Sequence, residues 1–533
     1  MKQTVKLIRT AALALYIAAI PNVTKAQSYD VAWKQNFGGS GYDEFTCVIA
    51  VPDGYVAVGS SDVSTSDSPG IGGNSNNDAI IVKFNTDGTV AWEKHFGGND
   101  IDNFNSVVAV SDGYVAVGYS WKGSFGNGDW TGIAGKGYDD AIIVKFNTDG
   151  TIAWKKNFGG SGDDRFNSVT AVSDGYVAVG YSWEGSFGNG DWTGITGKGE
   201  CDAIIVKFNT DGTVAWKQNF GGIYGDFFNS VTAVSDGYIA VGDADTESFG
   251  NGDWAGITGK GGIDAIIVKF NTDGTVAWKQ NFGGSARDMF LYVTAVADGY
   301  VAVGYAYPDS FGNGDWTGIT GKGFRDAIIV KFNTDGTVAW RQNFGGNSND
   351  YFYSVTEASD GYVAVGYAYY ASFGNGDLTD IAGKGGMDAI IVKFNTDGTV
   401  EWKQNFGGSG DNAFFSIISA ADEYVVIGAA RDLGDGDWAG FTGKGGTDAI
   451  IVKYQPVLDG TVSINGNSDL YLYPNPASDM LNFSVKMAYE ITDLQGRTLL
   501  KNGKAAKSVN ISSLPAGIYF IKTDNDTAKF IKK

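Results

Sequence analysis

The stretch DAIIVKFNTDGTVAWKQNFGG at 202–222 decides the fold. It reads as an apolar strand, an Asn-Thr-Asp-Gly turn and a second strand of mixed polarity, which together specify a β-hairpin. The string DAIIVK followed by Phe or Tyr begins at Asp78, Asp140, Asp202, Asp264, Asp326, Asp388 and Asp448, with five spacings of 62 residues and a last one of 60. Around it, each copy carries FNSVTAV-like and YVAVG-like runs joined by an Asp-Gly turn, and a long loop before the hairpin. Four strands per unit, repeated about every 60 residues, predict a β-propeller rather than a solenoid or a sandwich. The first recognisable piece, VAWKQNF at 31–37, is a fourth strand without its three predecessors, and the last copy stops at Tyr454 after its third. The expectation is a seven-bladed, all-β propeller over 27–455, with the N-terminal strand on the outside of the last blade closing the ring and removing an open seam.

Composition agrees with short strands and many turns. Glycine supplies 79 of 533 residues and aromatics 14%, too much of both for a disordered chain. A net charge of −21 argues against a phosphate-backbone partner, so nucleic acid is not expected. One histidine and two cysteines exclude a His-rich zinc site, a disulfide framework and an iron–sulfur cluster. Cys47 and Cys201 fall in blades 1 and 3, which are not adjacent, so both are expected to be unpaired.

The two ends differ from the repeat. Residues 1–26 carry Lys2, Lys6 and Arg9, an apolar run from Ala11 to Ile20 and small residues at Thr24 and Ala26. This is the pattern of a secretory signal peptide cut after Ala26. The run is too short to span a bilayer, and no later segment is long and apolar enough to be a transmembrane helix. Loss of Lys2, Lys6, Arg9 and Lys25 takes the formal charge from −21 to −25. A linker at 456–470 leads to a tail at 471–533 that is basic, with nine Lys/Arg against five Asp/Glu. Its runs LNFSV, YEITDL, SVNIS and GIYFIKT predict a small β-sandwich.

Three blocks of that tail, YLYPNPASDMLNF at 471–483, ITDLQGRTL and SSLPAGIYFIK, resemble the type A C-terminal sorting domain of the type IX secretion system. The resemblance implies a Bacteroidota-type envelope, recognition by the type IX secretion machinery and a secreted or outer-membrane-surface address. The repeat, through DAIIVKFNTDG and NFGGSGDDRF at 157–166, resembles the seven-bladed bacterial propeller repeats called SBBP. That resemblance implies fold rather than function, because propellers host unrelated activities.

Two sets of tryptophans recur. Trp33, Trp92, Trp154, Trp216, Trp278, Trp340 and Trp402, one per fourth strand, are expected to pack blade against blade. Trp130, Trp192, Trp254, Trp316 and Trp438 lie in the FGNGDW-type block of the long loop beside Asn and Asp, where a ring could stack on a saccharide. Asn127, Asp129 and Thr131, with Asn189, Asp191 and Thr193, and Asn313, Asp315 and Thr317, have the one-three-five-glycine spacing of calcium loops. Calcium is accordingly the candidate metal, against a reading in which Asp caps a tight turn and Phe and Trp pin the loop.

An up-and-down meander puts both short turns of every blade on one face and both long connections on the other. The short turns barely change between copies, whereas the long ones vary, so the variable face is the candidate binding surface. Trp121, Trp183, Tyr224, Tyr307, Tyr369 and Tyr370 are its candidate ligand contacts. Acid pairs such as Asp163 and Asp164 recur in Gly-rich loops and single out no catalytic group. The functional expectation is a secreted, non-enzymatic binding or adhesion module for an unknown extracellular glycan or protein. The alternatives are an extracellular carbohydrate-active enzyme using carboxylates on the variable face, or a structural surface component.

Overall fold

A computed structural model describes residues 29–62, 77–420 and 423–456 and, with short gaps, 472–532. The signal peptide with Ala26 and nearly all of the 456–470 linker lie outside the described residues. The chain divides into two compact units, and Tyr29–Val457 is one of them.

This unit is a seven-bladed propeller of antiparallel four-stranded sheets, six of them in sequential order and the seventh closed by the N-terminal strand. The first six blades begin at Asp43, Asp102, Asp164, Asp226, Asp288 and Asp350. The seventh is built from Asn412–Ala420, Glu423–Ala430 and Asp448–Pro456, with Tyr29–Phe37 pairing on its outside from Tyr29↔Pro456 to Phe37↔Ala449. The expected closure of the ring by the N-terminal strand is therefore what the chain does. Tyr29 also sits between Trp402 of blade 6, at 5.0 Å, and Tyr424 of blade 7, at 4.9 Å, so the closing strand enters the inter-blade packing as well as the hydrogen-bond ladder.

The hydrophobic core is a ring of seven layers, one at each blade junction. Val56, Val58 and Ile81 of blade 1 pack on Phe104, Tyr114 and Ile142 of blade 2, and Phe45 and Ile80 meet Val425 and Ile451 across the seam. Second and third strands have neighbours on both faces, which is why GYVAVG and DAIIVKF are continuously buried instead of alternating. The lysine inside DAIIVKF would be costly there without a partner. Lys145 reaches out to Asp112 of the Asp-Gly turn at 2.6 Å, and Lys207 reaches Asp174 likewise. The amines are nearly buried and the carboxylates exposed, so the apolar stems fill the core while the charges meet at the rim.

The fourth-strand tryptophans pack between blades, as expected. Trp92 meets Tyr114 of the next blade at 6.0 Å and donates its indole N–H to Thr148 O in that blade's NTDG turn. At Gly88, φ is +85° and an added Cβ would lie 2.7 Å from the Trp33 ring. Glycine there serves both turn conformation and ring access.

The C-terminal unit, expected as a small sandwich, pairs its strands into one five-stranded sheet. Its long hairpin, Met480–Thr492 with Thr498–Asn510, shifts register between Asn482 and Met487 and covers a core containing Leu481, Phe483, Ile491 and Phe530. Among the described residues, no helix is long and apolar enough to cross a membrane.

Candidate functional site

In each blade that carries it, the GDW segment is a single 3-10 turn, as at Gly128–Trp130. Trp130, Trp192, Trp254, Trp316 and Trp438 are at 0% exposure. Their indole N–H groups donate to the residue that opens the same blade's first strand: Asp102 at 3.1 Å, Asp164 at 3.0 Å, Asp226 and Asp288 at 2.7 Å, and Asn412 at 2.8 Å. The Trp130 ring also packs against Phe96 at 5.0 Å and Phe125 at 4.9 Å. These five tryptophans do not offer a face to a saccharide. They anchor the loop, and that corrects their assignment as ligand contacts.

The residues expected to hold calcium make hydrogen bonds within the protein. Asn127, Asn189 and Asn313 turn their amide N–H groups back on the carbonyls of Gly123, Gly185 and Asp309. Thr131, Thr193 and Thr317 donate to Gly128 O, Gly190 O and Gly314 O, each at 2.8 Å. Asp191 accepts the Lys136 ammonium of the preceding blade at 2.6 Å and the Gly159 N–H at 2.9 Å, and Asp315 accepts Lys260 and Gly283 N–H in the same way. Asp129 accepts Gly97 N–H at 3.1 Å. The three groups of each block make hydrogen bonds to three different partners, and Asn127 Oδ1 is left buried without one. Among the described residues, no cluster of three His, Cys, Asp or Glu side chains is placed to hold a metal. The repeated Asp instead ties each blade to the one before it.

On the variable face, Trp121, Trp183, Tyr224, Tyr369 and Tyr370 are exposed, Tyr370 at 66%. Tyr307 is half-buried, held beneath the Arg325 guanidinium at 4.5 Å and accepting from it at 2.5 Å. Tyr138 and Phe324, both 70% exposed, lie just before the third strands of blades 2 and 5 on this face and join the same set. Sequence reading passed over them because their position is Gly or Glu in neighbouring copies.

The feature that sequence reading missed is the central channel. Every first strand has a register shift across its fourth residue, as between Phe45 and Cys47 or Phe104 and Ser106. Such a bulge re-aims one side chain. Bulged residues line a cavity of about 460 Å³ to which all seven blades contribute. In blades 1 to 4 they are Thr46, Asn105, Asn167 and Asn229, and in blades 5 to 7 they are Leu291, Tyr353 and Phe415. Each of the polar four donates to a carbonyl of the next blade: Phe104 O at 2.7 Å, Phe166 O at 2.8 Å, Phe228 O and Phe290 O at 3.0 Å. One half of the wall is thus a fixed polar arc and the other is apolar and aromatic.

From that aromatic half a chain of ring contacts climbs to the rim. Phe415 meets Tyr353 at 5.3 Å, Tyr353 stacks on Tyr367 at 5.6 Å, Tyr367 meets Tyr351 and Tyr351 meets Tyr305, both at 4.8 Å, and Tyr305 reaches Tyr307 at 6.3 Å. Two carboxyls stand apart from the repeated ones. Glu44 lines the cavity and accepts from the Tyr42 hydroxyl at 3.0 Å, and burial raises its pKa against the lowering effect of that bond. Asp243 replaces the tyrosine of blades 2, 3, 5 and 6 behind the wall. Burial pushes it up to about 7, countered in part by the Asn229 amide donating at 3.0 Å.

Comparison with known proteins bears on the two units separately. Over 409 residues the chain is 23% identical to the regulatory protein FlaEY of Caulobacter vibrioides, covering 70% of this chain and 41% of that one. It thus spans less than half of the curated relative. The WD40 β-propeller domain of Doa1 superposes with a TM-score of 0.40 at 10% identity, over 80% of this chain and 97% of that one. The extracellular domain of a hybrid two-component system from B. thetaiotaomicron gives 0.39 at 10% identity, over 95% of this chain and 60% of that one. Residues 471–533 match the secretion system C-terminal sorting domain. The chain is a seven-bladed propeller repeat protein with a type IX secretion C-terminal sorting domain, and it is addressed to the cell surface or the extracellular space.

Proposed function

We propose that the propeller is a non-enzymatic binding module, working at or beyond the cell surface, whose ligand seat is the channel mouth on the variable face. The observation that carries this reading is the pair Phe415 and Tyr353 lining the cavity with a polar arc of Thr46 and three asparagines, and the run of ring contacts that continues from Tyr353 to Tyr307. Aromatic faces opposite fixed amides suit a saccharide, whose ring stacks while its hydroxyls are oriented by hydrogen bonds. The experiment is binding of the purified full chain to glycan and matrix-protein arrays, with calcium and with EDTA. Saturable glycan binding that EDTA leaves intact and Tyr353→Ala abolishes supports the reading. Silence on every array from a folded chain overturns it.

Asp243 favours a second reading, an extracellular carbohydrate-active enzyme. A carboxyl pushed up to about 7 holds a proton near neutral pH, the state a general acid requires, although Asp243 sits behind the cavity lining and is not part of it. Turnover of polysaccharide by the full chain that Asp243→Asn removes would establish it.

A further inference from the structure

The charge character of the cavity goes further than its shape. Glu44 is the one charged side chain among those lining it, and no lysine, arginine or histidine does so among the described residues. Of the arginines on this face, Arg165 lies on Asp139 and over Tyr119, Arg325 on Tyr307 and Tyr351, and Arg431 3.9 Å from Asp411, while Arg287 acts on Asp243, and none of the four lines the cavity. Asn105, Asn167 and Asn229 each spend an amide N–H on a carbonyl of the next blade. Asn229 gives its second N–H to Asp243 at 3.0 Å, and the side-chain oxygens of all three asparagines remain as acceptors beside one spare N–H on each of Asn105 and Asn167. Opposite stand the rings of Tyr292, Tyr353 and Phe415. A carboxylate, accepting amide oxygens and electron-rich ring faces are all complementary to positive charge with N–H donors. The same lining repels a phosphate or carboxylate ligand.

We propose that the channel cavity binds an organic ammonium group, through Glu44, the three asparagine oxygens and the ring faces of Tyr353 and Phe415. This rests on the binding reading above and names the chemistry of its ligand. Two sources would present that group: a free small amine, or a glycan carrying unacetylated amino sugars. A cavity of about 460 Å³ accommodates either a quaternary ammonium or one to two sugar rings.

The test is calorimetric titration of the full chain with choline, glucosamine tetramer, the N-acetylated tetramer and maltotetraose. Choline and glucosamine tetramer are expected to bind, with the two uncharged sugars weaker by at least about tenfold. Glu44→Gln and Tyr353→Ala should each weaken choline by about tenfold, and Tyr353→Phe, which keeps the ring, should retain it. A cooperative unfolding transition in each variant shows that the fold has survived. Binding of choline without the glucosamine tetramer assigns the free-amine source, and binding of both assigns the amino sugar as well. Equal binding of the acetylated and unacetylated tetramers, or choline binding that ignores Glu44→Gln, overturns the proposal. Array binding with no response to choline or glucosamine overturns the ammonium chemistry and leaves the binding module standing. Silence everywhere removes both.

Discussion

Leu378 stands where five other blades place a buried tryptophan, and the Oδ1 of Asp350, which an indole would meet there, is buried with no hydrogen-bond partner. Elsewhere that indole bond helps hold the opening Asp of the blade. Asp288, with Trp316 donating to it at 2.7 Å, is raised by burial to about 6, whereas Asp350 is raised to about 8.

Restoring the bond should stabilise blade 6. Leu378→Trp is expected to gain about 1.5 to 3 kcal/mol at pH 8, the range for a hydrogen bond to a charged group, because five blades already accommodate the larger ring. The sign of the pH effect follows from linkage. A carboxyl whose folded pKa lies above its unfolded value stabilises the fold at low pH, and that contribution is lost as pH rises through the folded pKa. In the parent chain Asp350 therefore weakens the fold between about pH 4 and pH 8. The variant's advantage should be larger at pH 8 than at pH 5, read by thermal unfolding at both. An equal or reversed advantage would show that Asp350 is not the group relieved.

The ladder Lys136–Asp191, Lys198–Asp253, Lys260–Asp315, Lys322–Asp377 and Lys384–Asp437, all at 2.5 or 2.6 Å, joins consecutive blades at about 30% side-chain exposure. Half-exposed pairs of this kind contribute about 0.2 to 1 kcal/mol each. Lys260→Ala should cost no more than about 1 kcal/mol, and 1 M salt should shrink that difference. Because these aspartates are committed to lysines and backbone N–H groups, calcium and EDTA should leave the unfolding midpoint where it is. A calcium-dependent midpoint would show that the Asn-x-Asp-x-Thr blocks bind metal after all.

How much of this could be read from the chain depended on whether the signal was periodic. The DAIIVK repeat, the NTDG turns and the orphan VAWKQNF strand carried the blade count, the closure and the face on which the copies diverge. Those are properties of spacing and turn chemistry, which are local. Burial of Trp130 was not legible, because an aromatic beside Asn and Asp in a loop has the same sequence whether its ring faces solvent or its indole meets Asp102 at 3.1 Å. Nor was the channel wall. A bulge breaks the alternation that assigns faces to strand residues, so Asn105 and Tyr353 looked like ordinary strand positions. The signal that could have found them was the series Thr46, Asn105, Asn167, Asn229, Leu291, Tyr353, Phe415, a strand position that diverges where its neighbours hardly change.

Asp243 offers a test that separates stability from function. Its pKa of about 7 against an ordinary 3.8 means its contribution falls as pH rises from about 4 through 7. Asp243→Asn keeps an oxygen for the Asn229 amide and removes the charge. It should raise stability by at least about 1 kcal/mol above pH 7.5 and change little below pH 4, measured by denaturant unfolding across pH. If polysaccharide turnover exists and survives this variant, Asp243 is not its acid. If stability at pH 8 falls instead, the buried carboxylate is favourable as it stands.

The closing strand makes the most demanding prediction. Tyr29 is 6% exposed, lies between Trp402 and Tyr424, and its backbone begins the ladder that completes blade 7. Truncating a buried aromatic leaves a cavity as well as lost transfer free energy, so Tyr29→Ala should cost about 3 kcal/mol. Deleting residues 29–37 goes further. It strips the outer ladder from Asp448–Pro456 and removes one wall of the junction where Phe37 packs with Phe45 and Ile451. An uncovered edge pairs with other chains. The deletion variant should aggregate on purification. A separate peptide of residues 29–37, added during refolding, should restore monomer and recover far-ultraviolet circular dichroism. Monomeric, cooperatively folded protein without the strand or the peptide would mean that the ring does not depend on its N-terminal clasp.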